Sequence, residues 1–224
     1  MNYFYKKKSM RDLHALVLGA TGATGKEIIN LLLNDDAYSK VSIFVRRKPN
    51  IEHNKLMVYE VDFSKLSSYQ DLINGDVLFS ALGTTRKEAG GLKQQYLVDY
   101  TYQYEFAKMA SDNGVSNYSL VSSTGANEKS FFFYPKIKGN LEESIKKLKF
   151  KKIQIFQPPM LIRQPELMRS SEKKGIKFLE GLNAIGLMKS QKPLLVSTLA
   201  RKMIIESKLE KKGHPEIYKP KDIF

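Results

Sequence analysis

The sequence predicts an α/β fold, a doubly wound parallel sheet with helices on both faces, built as one domain with a small C-terminal lid. Short β-rich apolar runs alternate with helical patterns over most of the 224 residues, which is typical of such a sheet. A glycine-rich turn follows the first of these runs. No internal repeat or low-complexity linker divides the chain, and its length suits a single core.

The elements follow one another in the order that this fold requires. Six runs are predicted strands: 15–18, 41–45, 56–61, 77–81, 118–121 and 153–156. Four stretches between them are predicted helices: 26–33, 65–73, 92–113 and 134–148. Right-handed crossovers between parallel strands then place any ligand across the carboxyl ends of the strands.

The last third of the chain departs from this alternation. Pro158, Pro159 and Pro165 interrupt the pattern, a helix-prone run extends to residue 189, and residues 197–209 form a predicted last helix. We interpret residues 157–196 as a substrate-side lid and residues 1–13 as an N-terminal extension of one domain, 1–224.

Composition excludes several classes of protein. The chain has no cysteine, which rules out disulfide scaffolds, thiol nucleophiles and thiolate metal sites, and its three histidines lack metal-ligand spacing. No apolar run approaches the roughly 18 residues of a spanning helix, and no apolar segment follows the basic N-terminus as in a signal peptide. We therefore expect a cytoplasmic protein without a membrane span or a metal.

The charge balance favours an anionic ligand without identifying it. The 37 Lys and Arg against 23 Asp and Glu give a net charge of +14. Many of the lysines occur in runs that are typical of solvated surfaces. Because no nucleic-acid motif accompanies them, we expect no specific nucleic-acid partner, and any such binding should be non-specific and salt-dependent.

The strongest motif is the turn after the first strand, which has GxxGxxG spacing. Glycines at such a turn let the backbone approach a pyrophosphate, which the amides and the positive end of the next helix then bind. Between an apolar strand and a helix, this motif predicts nucleotide binding. The residues expected to hold the cofactor here are Gly19, Thr21, Gly22, Ala23, Thr24 and Gly25.

The end of the second strand favours NADP over NAD. An acidic residue there would bind the adenosine ribose hydroxyls and repel a 2′-phosphate, but this strand ends in Arg46 and Arg47. Arginine can pair with phosphate and stack on adenine. The alternative is that both arginines are ordinary exposed charges at a strand end.

Two further segments are secondary candidates for contacts with the cofactor. Asp62 could accept the adenine amino group with Phe63 packed near the ring, or Asp62 could simply cap the following helix. After the fourth strand, the backbone should pass close to the cofactor's ribose at Leu82, Gly83 and Thr84.

Tyr134 and Lys138 form a YxxxK pair that carries the predicted chemistry. Their spacing places both side chains on one helical face, where an ammonium stabilises a phenolate whose ordinary pKa is about 10. Two other pairs have this spacing, but only this one follows a strand that ends in hydroxyl residues. Ser123 is the candidate to polarise a carbonyl, with Ser122 as the alternative. Both serines could instead merely end the strand, with Lys138 as a surface lysine.

In this order, the motifs resemble those of the atypical short-chain dehydrogenase/reductases from residue 14 onward. The resemblance rests on the glycine loop, Arg46-Arg47-Lys48, Val61-Asp62-Phe63, Leu82-Gly83-Thr84-Thr85-Arg86, Val121-Ser122-Ser123-Thr124-Gly125-Ala126, and Tyr134 with Lys138-Gly139. It implies a seven-stranded Rossmann sheet and NADP binding. It also implies that Tyr134 passes the proton, that Lys138 also holds the nicotinamide ribose, and that the serine polarises the carbonyl.

Two positions depart from the family pattern. Asp99 stands where many relatives have an Asn that orders a relay water. Pro159 stands where relatives have a glycine beside the nicotinamide carboxamide, and proline has no N–H to donate. The amides of Met160 and Leu161 would have to serve instead.

Two functions follow from these features. The first is an NADP-dependent oxidoreductase for a small or medium apolar carbonyl or alcohol, with walls from residues 131–133 and 157–188. The alternative is an NADPH-binding regulatory or redox-sensing module that acts through a protein partner. A homodimer is a further expectation.

Overall fold

The computed structural model describes residues 12–167, 192–210, 213 and 215–224. Nine strands occur in these ranges: β1 Leu13–Leu18, β2 Tyr38–Val45, β3 Leu56–Glu60, β4 Val77–Ser80, β5 Asn117–Val121, β6 Lys152–Phe156, β7 Leu161–Ile162, β8 Leu194–Leu195 and β9 Glu216–Tyr218. Seven of them form one sheet in the order β3-β2-β1-β4-β5-β6-β9, and β7 pairs with β8 separately.

The helices of the described ranges cover both faces of the sheet. They are α1 Ala23–Leu33, α2 Arg86–Ala89, α3 Leu92–Tyr96, α4 Tyr102–Asp112, α5 Phe133–Ile145, α6 Val196–Lys208 and α7 Pro220–Ile223. A π-helical turn, Leu97–Thr101, joins α3 to α4, and a 3-10 segment, Phe63–Leu72, follows β3. None of these helices has the length and apolar character that crossing a membrane requires.

All strand pairs of the large sheet are parallel, so the carboxyl ends of its strands lie at one edge. From β1 the chain builds outward through β2 and β3, and then returns to build in the other direction from β4. In such sheets a crevice opens at the carboxyl ends where the direction reverses. The doubly wound Rossmann fold expected from the sequence is confirmed.

Two apolar cores lie on opposite faces of the sheet. Alternation along β1 sends Ala15 and Val17 into the core under α1 and α6, and Leu16 and Leu18 into the core under α4 and α5. All four of these side chains are fully buried. This burial fixes the register of β1 and therefore the position of the loop that follows it.

The six strands expected from the sequence are present, and two helical expectations need correction. The stretch expected as a helix over 65–73 is 3-10, and Lys65 interrupts it with non-helical dihedral angles (φ −127°, ψ 36°). The helix expected over 92–113 is divided by the π-helical turn. The run expected to be helical up to residue 189, most of the lid and most of the N-terminal extension lie outside the described residues.

Candidate active site

The glycine loop packs directly against the chain that leaves β4. Gly19 has φ +84°, and a Cβ there would lie 2.5 Å from the backbone of Ala81 and Leu82. A Cβ on Gly25 would collide with the carbonyl group of Gly19. The loop therefore requires glycine at both positions, for backbone conformation at the first and for close packing at both.

The N-terminus of α1 is open to an anion. The Gly22 amide donates to the Gly19 carbonyl oxygen over 3.0 Å, and Gly22 begins the helix without a side-chain cap. The first-turn amides of a helix lack intrahelical acceptors and carry the positive end of the helix dipole. This geometry fits the pyrophosphate of a dinucleotide.

Two adjoining cavities run across the carboxyl ends of the strands. The larger, of about 1000 Å³, lies between the glycine loop and the ends of β2, β3 and β4. The smaller, of about 440 Å³, extends to the end of β5 and the start of α5. Both are lined by Gly22, Ala23, Leu82, Gly83 and Thr84, whereas Thr21 lines only the larger and Thr24 only the smaller.

The larger cavity contains most of the expected adenosine-side residues. Arg46, Asp62 and Phe63 line it, whereas Arg47 is exposed and is not among its lining residues. Asp62 accepts hydrogen bonds from the Ser64 hydroxyl (2.7 Å) and amide (2.9 Å), which lower the pKa of its carboxyl. Asp62 therefore caps the 3-10 segment and also borders the cavity.

Asp99 lies in the π-helical turn and is 1% exposed. Its Oδ1 accepts a 2.9 Å hydrogen bond from the Thr84 amide, which ties the turn to the cavity wall. Its Oδ2 has no hydrogen-bond partner among the described residues. Burial raises the pKa of Asp99, and the charge of Lys138 acts in the opposite direction.

Tyr134 and Lys138 line the smaller cavity together. Tyr134 is in the first turn of α5 and 42% exposed, whereas Lys138 is 2% exposed and donates from Nζ to the Val121 carbonyl over 3.0 Å. Burial lowers the pKa of Lys138, and the charges of Asp99 and Glu142 oppose this effect. Lys138 is thus a buried lysine at the site, which excludes the alternative of a surface lysine.

The structure brings Ser122, rather than the expected Ser123, to this cavity. Ser122 lines it beside Tyr134, and its hydroxyl donates to Oε1 of the buried Glu142. The Ser123 hydroxyl is buried without a hydrogen-bond partner among the described residues. Strand alternation explains the difference, since Ser122 still pairs with β6 through its amide and so shares the face of Leu120.

Of the two residues after β6 that were expected to contact the nicotinamide carboxamide, Met160 and Leu161, the structure places one at a cavity. Met160 is 37% exposed, lines neither cavity, and accepts a hydrogen bond from the Leu194 amide at its carbonyl (2.9 Å). Leu161 does line the smaller cavity. The carboxamide contact expected of the Met160 amide stays a prediction.

Sequence reasoning missed three residues of the site. Arg163 lines both cavities, and the next residue, Gln164, fastens this segment to α1 by donating to the Ala23 carbonyl (3.0 Å) and to Glu27 Oε1 (2.6 Å). Glu142 lies one helical turn beyond Lys138, so the spacing argument that paired Tyr134 with Lys138 could have found it. No comparable spacing signal points to Arg163.

Comparison with known proteins agrees with this geometry. A family model described as NAD(P)H-binding matches residues 19–154, from the glycine loop into β6. The chain belongs to this NAD(P)H-binding family. Protein HTATIP2 of Rattus norvegicus is 35% identical over 177 residues, which cover 77% of this chain and 73% of that protein. The mitochondrial protein fmp52 of Aspergillus fumigatus is 35% identical over 175 residues, 74% of each chain.

Solved structures share the fold at low sequence identity. The Bordetella bronchiseptica enzyme WbmH in complex with NAD⁺ has a TM-score of 0.66 at 15% identity, covering 93% of this chain and 75% of that chain. A tyrosine-to-phenylalanine variant of ElxO with NADPH bound has a TM-score of 0.65 at 15% identity, covering 93% and 97%. These neighbours show the Rossmann-type fold, and the family match shows NAD(P)H binding.

The contact of Gly19 with the chain after β4 can be tested against a glycine of the same conformation. Gly114 has φ +82° but open space around a Cβ, so Gly114→Ala should cost only the backbone strain of about 1 to 2 kcal/mol. Gly19→Ala adds a backbone collision and should cost about 2 to 5 kcal/mol. Denaturant unfolding measures both free energies of unfolding.

NADPH affinity by calorimetry provides the second comparison. Gly19→Ala should lose most of the binding, because relief of the collision moves the loop, whereas Gly114→Ala should bind as the unmutated protein does. Equal affinities for the two variants would contradict the role given to the loop.

Proposed function

We propose that this protein is an NADP-dependent oxidoreductase that interconverts a small or medium apolar carbonyl compound and its alcohol. The observation that carries the proposal is the position of Tyr134 and the buried Lys138 on one cavity that adjoins the glycine-loop cleft. The bound dinucleotide would supply or accept the hydride. The protein's own task is then to place the carbonyl, to move one proton and to stabilise charge on oxygen.

Tyr134 is the proposed proton donor to the developing alkoxide. It is the exposed member of the pair and can reach a substrate, whereas Lys138 is buried one turn behind it on the same helix face. The Lys138 ammonium favours the phenolate by Coulomb attraction, which eases proton release from a group with an ordinary pKa of about 10. Ser122 or Ser123 supplies the hydroxyl that bonds to the carbonyl oxygen.

The preference for NADP rests on the end of β2. Arg46 borders the larger cavity there, and the two carboxylates in this part of the cavity, Glu60 and Asp62, belong to the end of β3. The position at which an acid would bind the 2′-hydroxyl therefore carries a cation. Structural neighbours contain NAD or NADPH, so the family alone leaves this choice open.

The substrate class rests on the apolar part of the smaller cavity. Among the described residues, its larger apolar side chains are Leu82, Val121, Leu161 and Val196, with Ala23 and Ala81 beside them. Phe131 and Phe132, expected as walls, lie exposed before α5 and do not line the cavity. A homodimer and a cytoplasmic location stay predictions, and the fmp52 relatives carry the word mitochondrial in their names.

The arginine pair offers a matched test of cofactor choice. Arg46→Gln should weaken NADPH binding by about 10- to 100-fold, the equivalent of a charge-assisted hydrogen bond, and leave NADH binding nearly unchanged. Arg47→Gln is the control, because this side chain lies outside the cavity, and it should change neither affinity. Calorimetry with both cofactors measures the effect. Equal affinity of the unmutated protein for NADPH and NADH would refute the preference.

Substitution of Tyr134 tests the reaction. Tyr134→Phe should leave NADPH affinity unchanged and lower turnover by roughly 10² to 10⁴, the usual contribution of a general acid. The measurement is NADPH consumption against a panel of aldehydes, ketones and quinones, beside direct cofactor binding. If the unmutated protein binds NADPH without turning over any carbonyl, an NADPH-binding regulatory module is the better interpretation.

The two serines can be separated by the same assay. Ser122→Ala should lower turnover by about 10- to 1000-fold, because the developing charge on oxygen loses a hydrogen-bond donor. Ser123→Ala should keep most of the activity, since the Ser123 hydroxyl lies outside the cavity. The reverse ranking would restore Ser123 as the catalytic serine.

A further inference from the structure

Glu142 is a buried carboxylate that connects three elements of the site. It lies on α5 and is only 4% exposed. Its Oε1 accepts from the Ser122 hydroxyl, and both of its oxygens accept from Gln157 Nε2, over 3.1 and 3.0 Å. Ser122 follows β5 and Gln157 follows β6, so these hydrogen bonds join the carboxyl ends of two strands to the helix that carries Tyr134 and Lys138.

These contacts determine the orientation of the Ser122 side chain. The one hydrogen of the Ser122 hydroxyl points to Glu142 in this structure, and because a hydroxyl rotates, it can turn to a carbonyl oxygen that enters the cavity. The side chain is therefore held on the helix-facing side of β5, and Ser122 borders the cavity of Tyr134. Ser123 has no such anchor among the described residues.

Glu142 also acts on Lys138 through its charge. The groups that interact electrostatically with the buried ammonium are Asp99, from the π-helical turn, and Glu142, from its own helix, and Tyr134 is the titratable group one turn before it. Burial disfavours the ammonium form of a lysine, and nearby carboxylates favour it. Among the carboxylates of the described residues, Glu142 is the one that contacts Ser122 and also acts on Lys138.

We propose that Glu142 is a positioning residue of the oxidoreductase site, which holds Ser122 toward the cavity and places a carboxylate one helical turn beyond Lys138. Glu142 lines neither cavity and so acts through these two neighbours. This inference rests on the proposed function, because it assigns a role in that reaction to a residue behind the reacting groups.

Two substitutions separate the two roles. Glu142→Gln keeps the size and removes the charge, whereas Glu142→Asp keeps the charge and withdraws the oxygens from Ser122. Glu143→Gln is the matched control, because Glu143 is the adjacent glutamate, is 42% exposed and pairs with Lys146. Circular dichroism and thermal unfolding establish that each variant is folded, and the Asp variant carries the test if the Gln variant does not fold.

With a carbonyl that the unmutated protein reduces, both Glu142 variants should lower kcat by about 10- to 100-fold, with KM changed by less than about threefold, as misplacement of a catalytic group does. Loss of a negative charge beside Lys138 lowers its pKa, so the alkaline limb of the pH profile should move to lower pH in Glu142→Gln. The limb should stay in place in Glu142→Asp. Glu143→Gln should change neither kcat nor the limb.

An NMR titration of ¹⁵N-labelled lysine reads the electrostatic role without any substrate. The Lys138 signal, identified by its absence from Lys138→Arg, should titrate about one pH unit lower in Glu142→Gln than in the unmutated protein. If no carbonyl is turned over but this shift is seen, the proposed function fails and the link from Glu142 to Lys138 stands. Unchanged kcat, pH profile and Lys138 titration in Glu142→Gln would overturn the inference.

Discussion

The close approach of two backbone segments, the glycine loop after β1 and the chain after β4, is the constraint on which the site depends. β1 and β4 are the neighbouring strands from which the sheet grows in opposite directions, so a crevice opens beyond their carboxyl ends. Gly19 allows the first continuation to touch the second at Ala81 and Leu82. From this contact, α1 points its N-terminus into the crevice, and residues 82–84 form the wall shared by both cavities. The backbone alone thus provides amide donors and a long cleft.

The side-chain chemistry of the site centres on a buried lysine, Lys138. An isolated ammonium is costly to remove from water, and a lysine so placed would lose its proton without nearby negative charge. Lys138 keeps a hydrogen bond to Val121 and two carboxylates on different elements, Asp99 and Glu142. Each carboxylate is itself held by the site, since Asp99 accepts from the Thr84 amide and Glu142 from Ser122 and Gln157. The two carboxylates that compensate the charge of Lys138 therefore also hydrogen-bond to residues at the ends of β4, β5 and β6.

The sequence predicted what depends on local pattern. Apolar runs and glycine spacing were enough for six strands, the cofactor loop and the Tyr134 and Lys138 pair, because each is set by residues close together in the chain. The resemblance implied a seventh strand without placing it, and the three residues of β9 are too few to show a strand periodicity of their own. Which serine borders the cavity depends on which face of β5 meets α5, and Arg163 borders the cleft next to Gln164, which donates hydrogen bonds to α1. These are tertiary relationships, and no spacing in the sequence encodes them.

Asp99 illustrates how one substitution can keep a structural role and change an electrostatic one. An aspartate in place of the family's asparagine argued against the usual relay water. In the structure, Asp99 lies in a π-helical turn, and its Oδ1 accepts a hydrogen bond from the Thr84 amide. An asparagine side-chain oxygen could accept that bond equally well, so the wall of the cavity does not require the charge. The charge matters instead to Lys138, on which a neutral asparagine would act far less. Glu142 has donors on both oxygens, whereas Oδ2 of Asp99 has none among the described residues. Of the two carboxylates, Glu142 accepts hydrogen bonds at both oxygens, whereas Asp99 accepts from the Thr84 amide at Oδ1 and interacts with the charge of Lys138.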